Sequence, residues 1–401
     1  MKLFQRLLVA PAALGLLSPL AANATEVNLN DMSNYSDIES IDIVNSFDNE
    51  DLIEDQLIAG GEGMIDGVAF DGGFSETTTA SFSADFAIGS VDGKGVVTTY
   101  DANGNSPSVA DGDEAIEAVY SFQIDLSTSF TGEDSLDISL DAGNAATTTA
   151  LGELDLNGAS ESLSVDGISY TFPVGDNLTA FVGDNTDGSL LYNTACVYAS
   201  PTNTLDDCGN KEAALGSGSG TAAGASYDFG NGFGAAIGYT GAGSDSEKGL
   251  FTKEGDDAYG AQLTYTGDSY GASVTYANTE SSGSDTTYWA MNGYWTPSES
   301  GSIPSVSLGY EVGDPEASGA KDTTQYFVGL QWDEAGPGTL GVGFGTDGAF
   351  ADGATEYMFY EAFYAYEVND GMTITPLVYI RENDKDKADH TGIMVKTSFS
   401  F

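Results

Sequence analysis

Between residues 76 and 401 apolar and polar positions alternate in short runs. Phe122, Ile124 and Leu126 stand opposite Gln123, Asp125 and Ser127. Leu136, Ile138 and Leu140 stand opposite Ser135, Asp137, Ser139 and Asp141, and Tyr326, Val328, Leu330 and Trp332 opposite Gln325, Gly329 and Gln331. The chain ends in the same way, with Ile393, Val395, Thr397, Phe399 and Phe401 against Gly392, Lys396, Ser398 and Ser400, Met394 being the exception. A period of two marks strands with one apolar and one wet face. Alternation and turn residues predict 16 strands, over 76–88, 115–130, 134–141, 166–173, 178–184, 220–229, 232–241, 256–266, 269–278, 285–296, 303–312, 322–332, 338–346, 355–368, 371–382 and 388–401. A soluble sandwich turns the apolar face to a core. A transmembrane barrel turns it to lipid and the wet face to a pore.

The connections separate these two. Short ones hold Thr131-Gly132-Glu133, Gly175-Asp176-Asn177, Gly230-Asn231, Gly267-Asp268, Thr296 to Ser302, Asp333 to Pro337 and Asn369-Asp370. Longer ones, near 89–114, 142–165, 185–219, 242–255, 279–284, 313–321, 347–354 and 383–387, fall between them in strict alternation. Outer-membrane barrels have short periplasmic turns and longer external loops; a sandwich has no reason to sort its loops this way. The expected fold is therefore all-β, a 16-stranded antiparallel transmembrane β-barrel spanning 76–401. The longest loop, 185–219, is expected to fold inward and narrow the pore, the alternatives being a cover over the mouth or a contact with a neighbouring subunit.

The N-terminal part supplies the compartment. Lys2 and Arg6, an apolar run from Leu7 to Leu20 and the small-x-small site Ala22-Asn23-Ala24 read as a signal peptide over 1–24. Residues 25–75 read as an acidic periplasmic lead-in with one short helix at Asp48 to Gly61. No later run approaches the roughly 18 apolar residues of a membrane helix. The 21 Tyr, 20 Phe and 52 Gly suit interfacial girdles, tight turns and loops. Beyond residue 24 the chain carries 9 basic against 62 acidic residues, a net −53, which excludes nucleic acid as a partner. In an exported protein Cys196 and Cys208 are expected to form a disulfide. A zinc site needs more ligands, and the single His390 lies far off in sequence.

Enzyme chemistry finds no foothold. A nucleophilic triad would have to be built on His390, which reads instead as a solvated rim residue. No phosphate-binding loop or dinucleotide fingerprint is present, and no cofactor or metal is expected. Runs such as Gly341-Val342-Gly343 fall within strands, where small residues suit a crowded lumen. Polar strand positions nominate Asp125, Asp137, Asp141, Glu361, Glu367, Arg381 and Lys396 as pore-lining, because a charge at the lipid midplane costs about 2–4 kcal/mol. Closing the hairpin at Asn369-Asp370 is expected to bring Arg381 near Glu361, and Glu367 near the level of Lys396. The acidic excess, including Asp111, Asp113, Glu114, Asp184 and Asp187 in loops, predicts cation preference. Lys94, Lys211, Lys248, Lys253, Arg381 and Lys396 would reverse it if they gathered at the narrowest point.

The segments Tyr120–Asn144, Ile168–Gly175, Val368–Arg381 and Lys396–Phe401 resemble the cyanobacterial outer-membrane porins, the iron uptake group related to carbohydrate-selective porins. The resemblance spans roughly 76–401. It implies a barrel, a homotrimer, that passes small hydrophilic solutes and inorganic ions passively across the lipid of the outer membrane. Such porins usually carry an S-layer-homology domain and a coiled coil before the barrel, and residues 25–75 match neither. Two other readings stand beside the porin: a plugged barrel serving as surface adhesin or receptor scaffold, and a barrel enzyme, against which the shortage of His counts.

Overall fold

Every one of the predicted runs forms a strand, shifted by a few residues at most ends. In the computed structural model these are β1 (Thr78–Asp92), β2 (Glu117–Thr128), β3 (Ser135–Gly143), β4 (Ser164–Pro173), β5 (Leu178–Thr186), β6 (Gly220–Gly230), β7 (Phe233–Gly241), β8 (Asp257–Thr266), β9 (Tyr270–Ser281), β10 (Ser284–Trp295), β11 (Ser305–Pro315), β12 (Thr323–Trp332), β13 (Gly338–Thr346), β14 (Phe350–Ala351), β15 (Met358–Asn369), β16 (Met372–Arg381) and β17 (His390–Ser400). The two-residue β14 pairs β12 just beyond the end of β13, so the two form a single stave. The structure describes residues 78–92, 115–144, 151–156, 161–215, 220–241, 249–252, 255–281, 284–298, 301–383 and 389–401. The expected signal peptide at 1–24, the lead-in at 25–75 with its helix, and the loop acids Asp111, Asp113 and Glu114 lie outside them.

Neighbours in sequence pair antiparallel all the way round, and β1 pairs both β2 and β17. The sheet thus closes on itself as a barrel of 16 staves, with no free edge. Backbone bonds between Phe82 and Phe401, at 2.9 and 3.0 Å, complete the seam. The C-terminal alternation is therefore the closing strand, and its apolar face continues around the wall.

The short turns share one end, and each has a local cause. Asp134 takes the N–H groups of Phe130 and Thr131 and the hydroxyls of Ser129, Thr131 and Tyr170, fixing the β2–β3 turn. Gly230, Asn231 and Gly232 all lie at positive φ, the conformation a two-residue hairpin demands. One expected long loop does not form. β9 and β10 stay paired through Ser281 and Ser284, because Thr279, Thr286 and Thr287 are β-compatible and Asn278 Nδ2 donates to Thr287 Oγ1 at 3.2 Å.

Register sorts the two faces. The outer one exposes aliphatic side chains, with Ile237 at 61%, Leu263 at 63% and Ile393 at 65%. Near the short turns it carries an aromatic belt of Phe82–Phe401, Tyr170–Phe172, Tyr227–Phe229 and Phe233–Tyr265 contacts. Further along, β7 to β15 carry Tyr239, Tyr259, Tyr276, Trp289, Tyr310, Tyr326, Phe344 and Tyr360 on the same face. The inner face holds the polar positions and inserted loop segments.

Candidate functional site

The connection between β5 and β6 folds into the barrel, as the sequence led us to expect. Its outgoing leg lies across the inner wall as an irregular segment. The N–H groups of Asn193, Ala195, Val197 and Ala199 donate in turn to Gln262 Oε1 (2.6 Å), Ser273 Oγ (3.0 Å), Ser307 Oγ (3.0 Å) and Gln331 Oε1 (2.9 Å). Those acceptors stand on β8, β9, β11 and β12, so alternate amides of the loop are satisfied by four staves of one wall, with β10 passed over. Tyr198 OH and Thr202 Oγ1 then donate to the two oxygens of Glu361 on β15, at 2.8 and 2.5 Å. On the return leg Asn292 Nδ2 donates to the Cys208 carbonyl at 2.9 Å, and Ala213 N–H to Glu311 Oε2 at 2.7 Å.

The wall under this loop has been cleared for it. A Cβ on Gly309 would lie 1.8 Å from the Cys208 carbonyl oxygen, and one on Gly238 1.9 Å from that of Gly188. Gly329 and Gly343 make the same room for the Tyr198 ring. The crowded-lumen reading of the strand glycines thus acquires causes: Gly343 lies beneath the Tyr198 ring of the docked loop, and Gly341 beneath the Phe363 ring of the neighbouring strand. Cys196 and Cys208 are joined, with Cα atoms 6.5 Å apart, and tie the outgoing leg to the returning one. Cys208 sits at φ 53°, a conformation that persists only where its surroundings impose it.

A second insertion was not foreseen. Leu151 and Leu154, from the β3–β4 connection, are fully buried in the cluster with Tyr198, Leu205 and Met394. Between them Glu153 reaches Arg381 at 2.5 Å, while Arg381 Nε lies 3.0 Å from Asp347. Glu153 also accepts from the N–H and hydroxyl of Thr204, clamping the two insertions together. Arg381 therefore meets Glu153 and Asp347 rather than Glu361, whose oxygens are taken by the long loop. The hairpin alone does not set the pairing, because β15 pairs Glu361 with Tyr379 and Phe359 with Arg381, and the loops fill the space between.

The nominated residues divide accordingly. Glu361 (3% exposed) and Arg381 (5%) stand on the inner face but are covered by loop. Asp125, Asp137 and Asp141 share the inner face of β2 and β3 and stay partly open. Ser139 and Gln123 donate to Asp125, Ser135 to Asp137, and Ser164 to Asp141. Lys396 lies on the same face of β17, opposite Ala87 and Thr375. Glu367 pairs Thr373 close to the short turns and is exposed. His390 departs from its expected place: it is 2% exposed and meets Asn383 Nδ2 at 2.9 Å, because β17 begins there with that side chain turned inward.

The tip of the long loop is acidic. Crowding by protein atoms raises Asp206 to about 7, ahead of repulsion from Asp207 and Asp155. Burial likewise raises Asp207 to about 6 against the pull of the Gly209 N–H and Lys211. Of the residues sequence reasoning missed, Glu153 alone left a trace, as an acid between two apolar residues in a stretch otherwise read as loop.

Known structures share this architecture. The anion-selective porin of Comamonas acidovorans superimposes with a TM-score of 0.53 at 12% identity, covering 81% of this chain and 99% of that one. Salmonella typhi OmpF, in a complex with daunomycin, gives 0.53 at 11% identity over 81% and 97%. A loop L8 deletion mutant of OmpT, an outer membrane protein of Vibrio cholerae, gives 0.52 at 10% over 81% and 100%. The chain has the general porin fold. No protein-family model and no curated protein sequence matches it.

Proposed function

We propose that the protein is an outer-membrane porin, a passive path for small hydrophilic solutes and inorganic ions. One observation carries this reading: a closed barrel with an apolar outer face, a polar inner face, and a long loop folded inside along the inner wall of β8 to β15. An exposed aliphatic band bounded by aromatic residues calls for hydrocarbon outside, and open acids on the opposite inner wall call for water inside. Reconstitution into a planar bilayer tests it. Steady conductance steps are expected, and a folded, inserted protein that gives none would refute the reading.

The pore prefers cations in this reading. Asp125, Asp137 and Asp141 line the open wall, and the one arginine of the inner face is neutralised by Glu153 and Asp347. The loop adds the acids Asp206 and Asp207. Lys211 and Lys396 are the opposing charges among the described residues inside the barrel. A reversal potential of anion-selective sign at low salt would show that these lysines govern the passage.

The protein forms a homotrimer in this reading. Above the lower aromatic belt, the outer face of β3 to β6 carries Leu140, Ile138, Ile168, Val182, Ala223 and Ala225, where β7 to β15 carry rings. A stretch of outer wall without interfacial aromatics suits contact with another subunit better than a lipid headgroup boundary. Native mass spectrometry in mild detergent checks it; a monomer under conditions that keep the barrel closed would refute it.

A further inference from the structure

On the outer wall, at the end where the long loops lie, a cleft of about 420 Å³ opens across β10, β11 and β12. Its floor is Trp289, Tyr310 and Val312, with the two rings 49% and 48% exposed. Its lip is Asp314, Asp322, Asp352 and Glu356, all exposed. Register sets the vertical order. Tyr310 pairs Met291, Val312 pairs Trp289 and Asp314 pairs Thr287, each pair two residues beyond the last. At about 3.4 Å per residue, the Asp314 rung stands about 7 Å beyond the Trp289 rung and about 14 Å beyond that of Tyr310. The chain after β14 closes the far side, held by the Asp352 N–H on the Asp322 carbonyl at 2.8 Å. The lysine beside the cleft, Lys321, donates to the Asp352 carbonyl at 2.7 Å. Among the described residues no ion pair joins any of the four carboxylates.

We propose that this cleft seats a membrane lipid whose headgroup ends in an ammonium. Place decides that the occupant is a lipid. Trp289 and Tyr310 belong to the aromatic row of the outer wall, and the exposed Met291 and Leu308 lie on the same face toward the aliphatic band. Acyl chains run along that band, and a headgroup comes to lie between the rings and the lip. Charge decides which lipid. Four carboxylates without a counter-charge repel an anionic headgroup and attract an ammonium, whose three donors they can accept. The ring faces below favour the same cation. The rival is a divalent ion bridging the lip to an anionic lipid. Against it, no group of three His, Cys, Asp or Glu suited to a metal occurs among the described residues. Such binding needs the barrel to lie in a membrane and needs no conduction through it.

The test reads tryptophan fluorescence of the full-length protein in maltoside micelles. Trp295→Phe with Trp332→Phe leaves Trp289 as reporter. Trp289→Phe with Trp332→Phe leaves Trp295, which pairs Tyr270 near the short turns. Phosphatidylethanolamine and phosphatidylglycerol, each brominated toward the headgroup end of its acyl chains, are titrated as quenchers. At Trp289 the ethanolamine lipid is expected to half-quench at about a tenfold lower mole fraction than the glycerol lipid. At Trp295 the two should agree within about twofold, which separates the cleft from the acidity of the whole chain. Asp314→Asn with Asp322→Asn, both at exposed positions, should cut the Trp289 ratio to below about threefold. Equal quenching by the two lipids at Trp289 would overturn the proposal, as would a tenfold ratio at Trp295 too or a ratio untouched by the double change. The glycerol lipid matching the ethanolamine lipid once magnesium chloride is added would overturn it in favour of a metal bridge. Should the double variant fail to fold, the two reporters still decide. Bilayer conductance on the same protein separates the readings: steps without a lipid preference remove the lipid site and leave the porin. A lipid preference without steps does the reverse.

Discussion

The two halves of the barrel wall obey one alternating pattern and end in opposite states. On β7 to β13 the inner positions that meet the docked loop include Gly238, Gly260, Gln262, Ser273, Thr275, Asn292, Ser307, Gly309, Gln331 and Gly343. On β1 to β3 they include Asp85, Asp125, Asp137 and Asp141, and no loop amide lies over these acids among the described hydrogen bonds. Neutral amides and hydroxyls can take backbone N–H groups at little cost, and glycine clears the path. A row of carboxylates would have to be buried unpaired beneath a loop, at several kcal/mol each. The choice of neutral or acidic inner residues therefore decides which wall is covered and which stays open to water. The docked half tolerates charge only where it is saturated, as at Glu311, Glu361 and Arg381.

The sharpest way to break this contrast is to unsaturate one of those charges. Arg381→Met leaves Glu153 and Asp347 buried without a counter-charge, and the loss is expected to reach about 3–5 kcal/mol. Denaturant unfolding in detergent reads it; a loss under about 1 kcal/mol would mean that water already reaches the cluster. Next in size is the tie between the loop's two legs. Replacing both Cys196 and Cys208 by Ser is expected to cost about 2–4 kcal/mol, felt by the loop rather than the barrel. Hydrogen exchange at Val197 and Ala199 should quicken while the amides of β1 and β17 stay protected. Unchanged exchange at the first pair would show that the wall alone holds the loop.

Much of this was legible in the chain. Alternation and turn residues located all the staves, because a barrel strand must turn one face to each solvent and so writes its period directly. They also showed that Arg381, Glu361 and Lys396 share the inner face. What they hid was cover. Polar alternation looks the same whether the inner face meets water or a loop, so Glu361 and Arg381 read like Asp125. The distinguishing signal was present but second-order: the inner positions become glycine and amide just where the loop lies. Glu153 was passed over because it sits in a connection outside the regular strands, and His390 was misread because the cover over the inward-facing first residue of β17 leaves no mark in the alternation.

The open wall should respond in function and scarcely in stability. The triple change Asp125→Asn, Asp137→Asn and Asp141→Asn keeps an acceptor for Ser139, Ser135 and Ser164 and removes three charges. Unfolding is expected to shift by no more than about 0.5 kcal/mol per site. The cation-to-anion permeability ratio should fall clearly at low salt and little near 1 M, where screening is short-ranged. A destabilisation on the scale of Arg381→Met would erase the distinction between the walls. An unmoved reversal potential would place the selecting charges on the loop instead.

The gentlest probe is pH, which acts on the acids of the loop tip. Asp206 faces Asp207, Asp155 and Lys211, and Asp207 faces Lys211 and Glu212. With folded values near 7 and 6, both acids hold protons at pH 5 that the unfolded chain, at its ordinary 3.8, has largely released. The folded state then binds more protons than the unfolded one between about pH 4 and 7, so this contribution to stability falls as pH rises through that window. Charge runs the other way: the tip gains up to two negative charges between pH 5 and 8. Cation preference should therefore rise over that interval, together with faster exchange at the loop tip, and Asp206→Asn with Asp207→Asn should flatten both. A preference that falls with pH would mean that loss of a proton from a basic group, not from these acids, sets the balance between loop and wall.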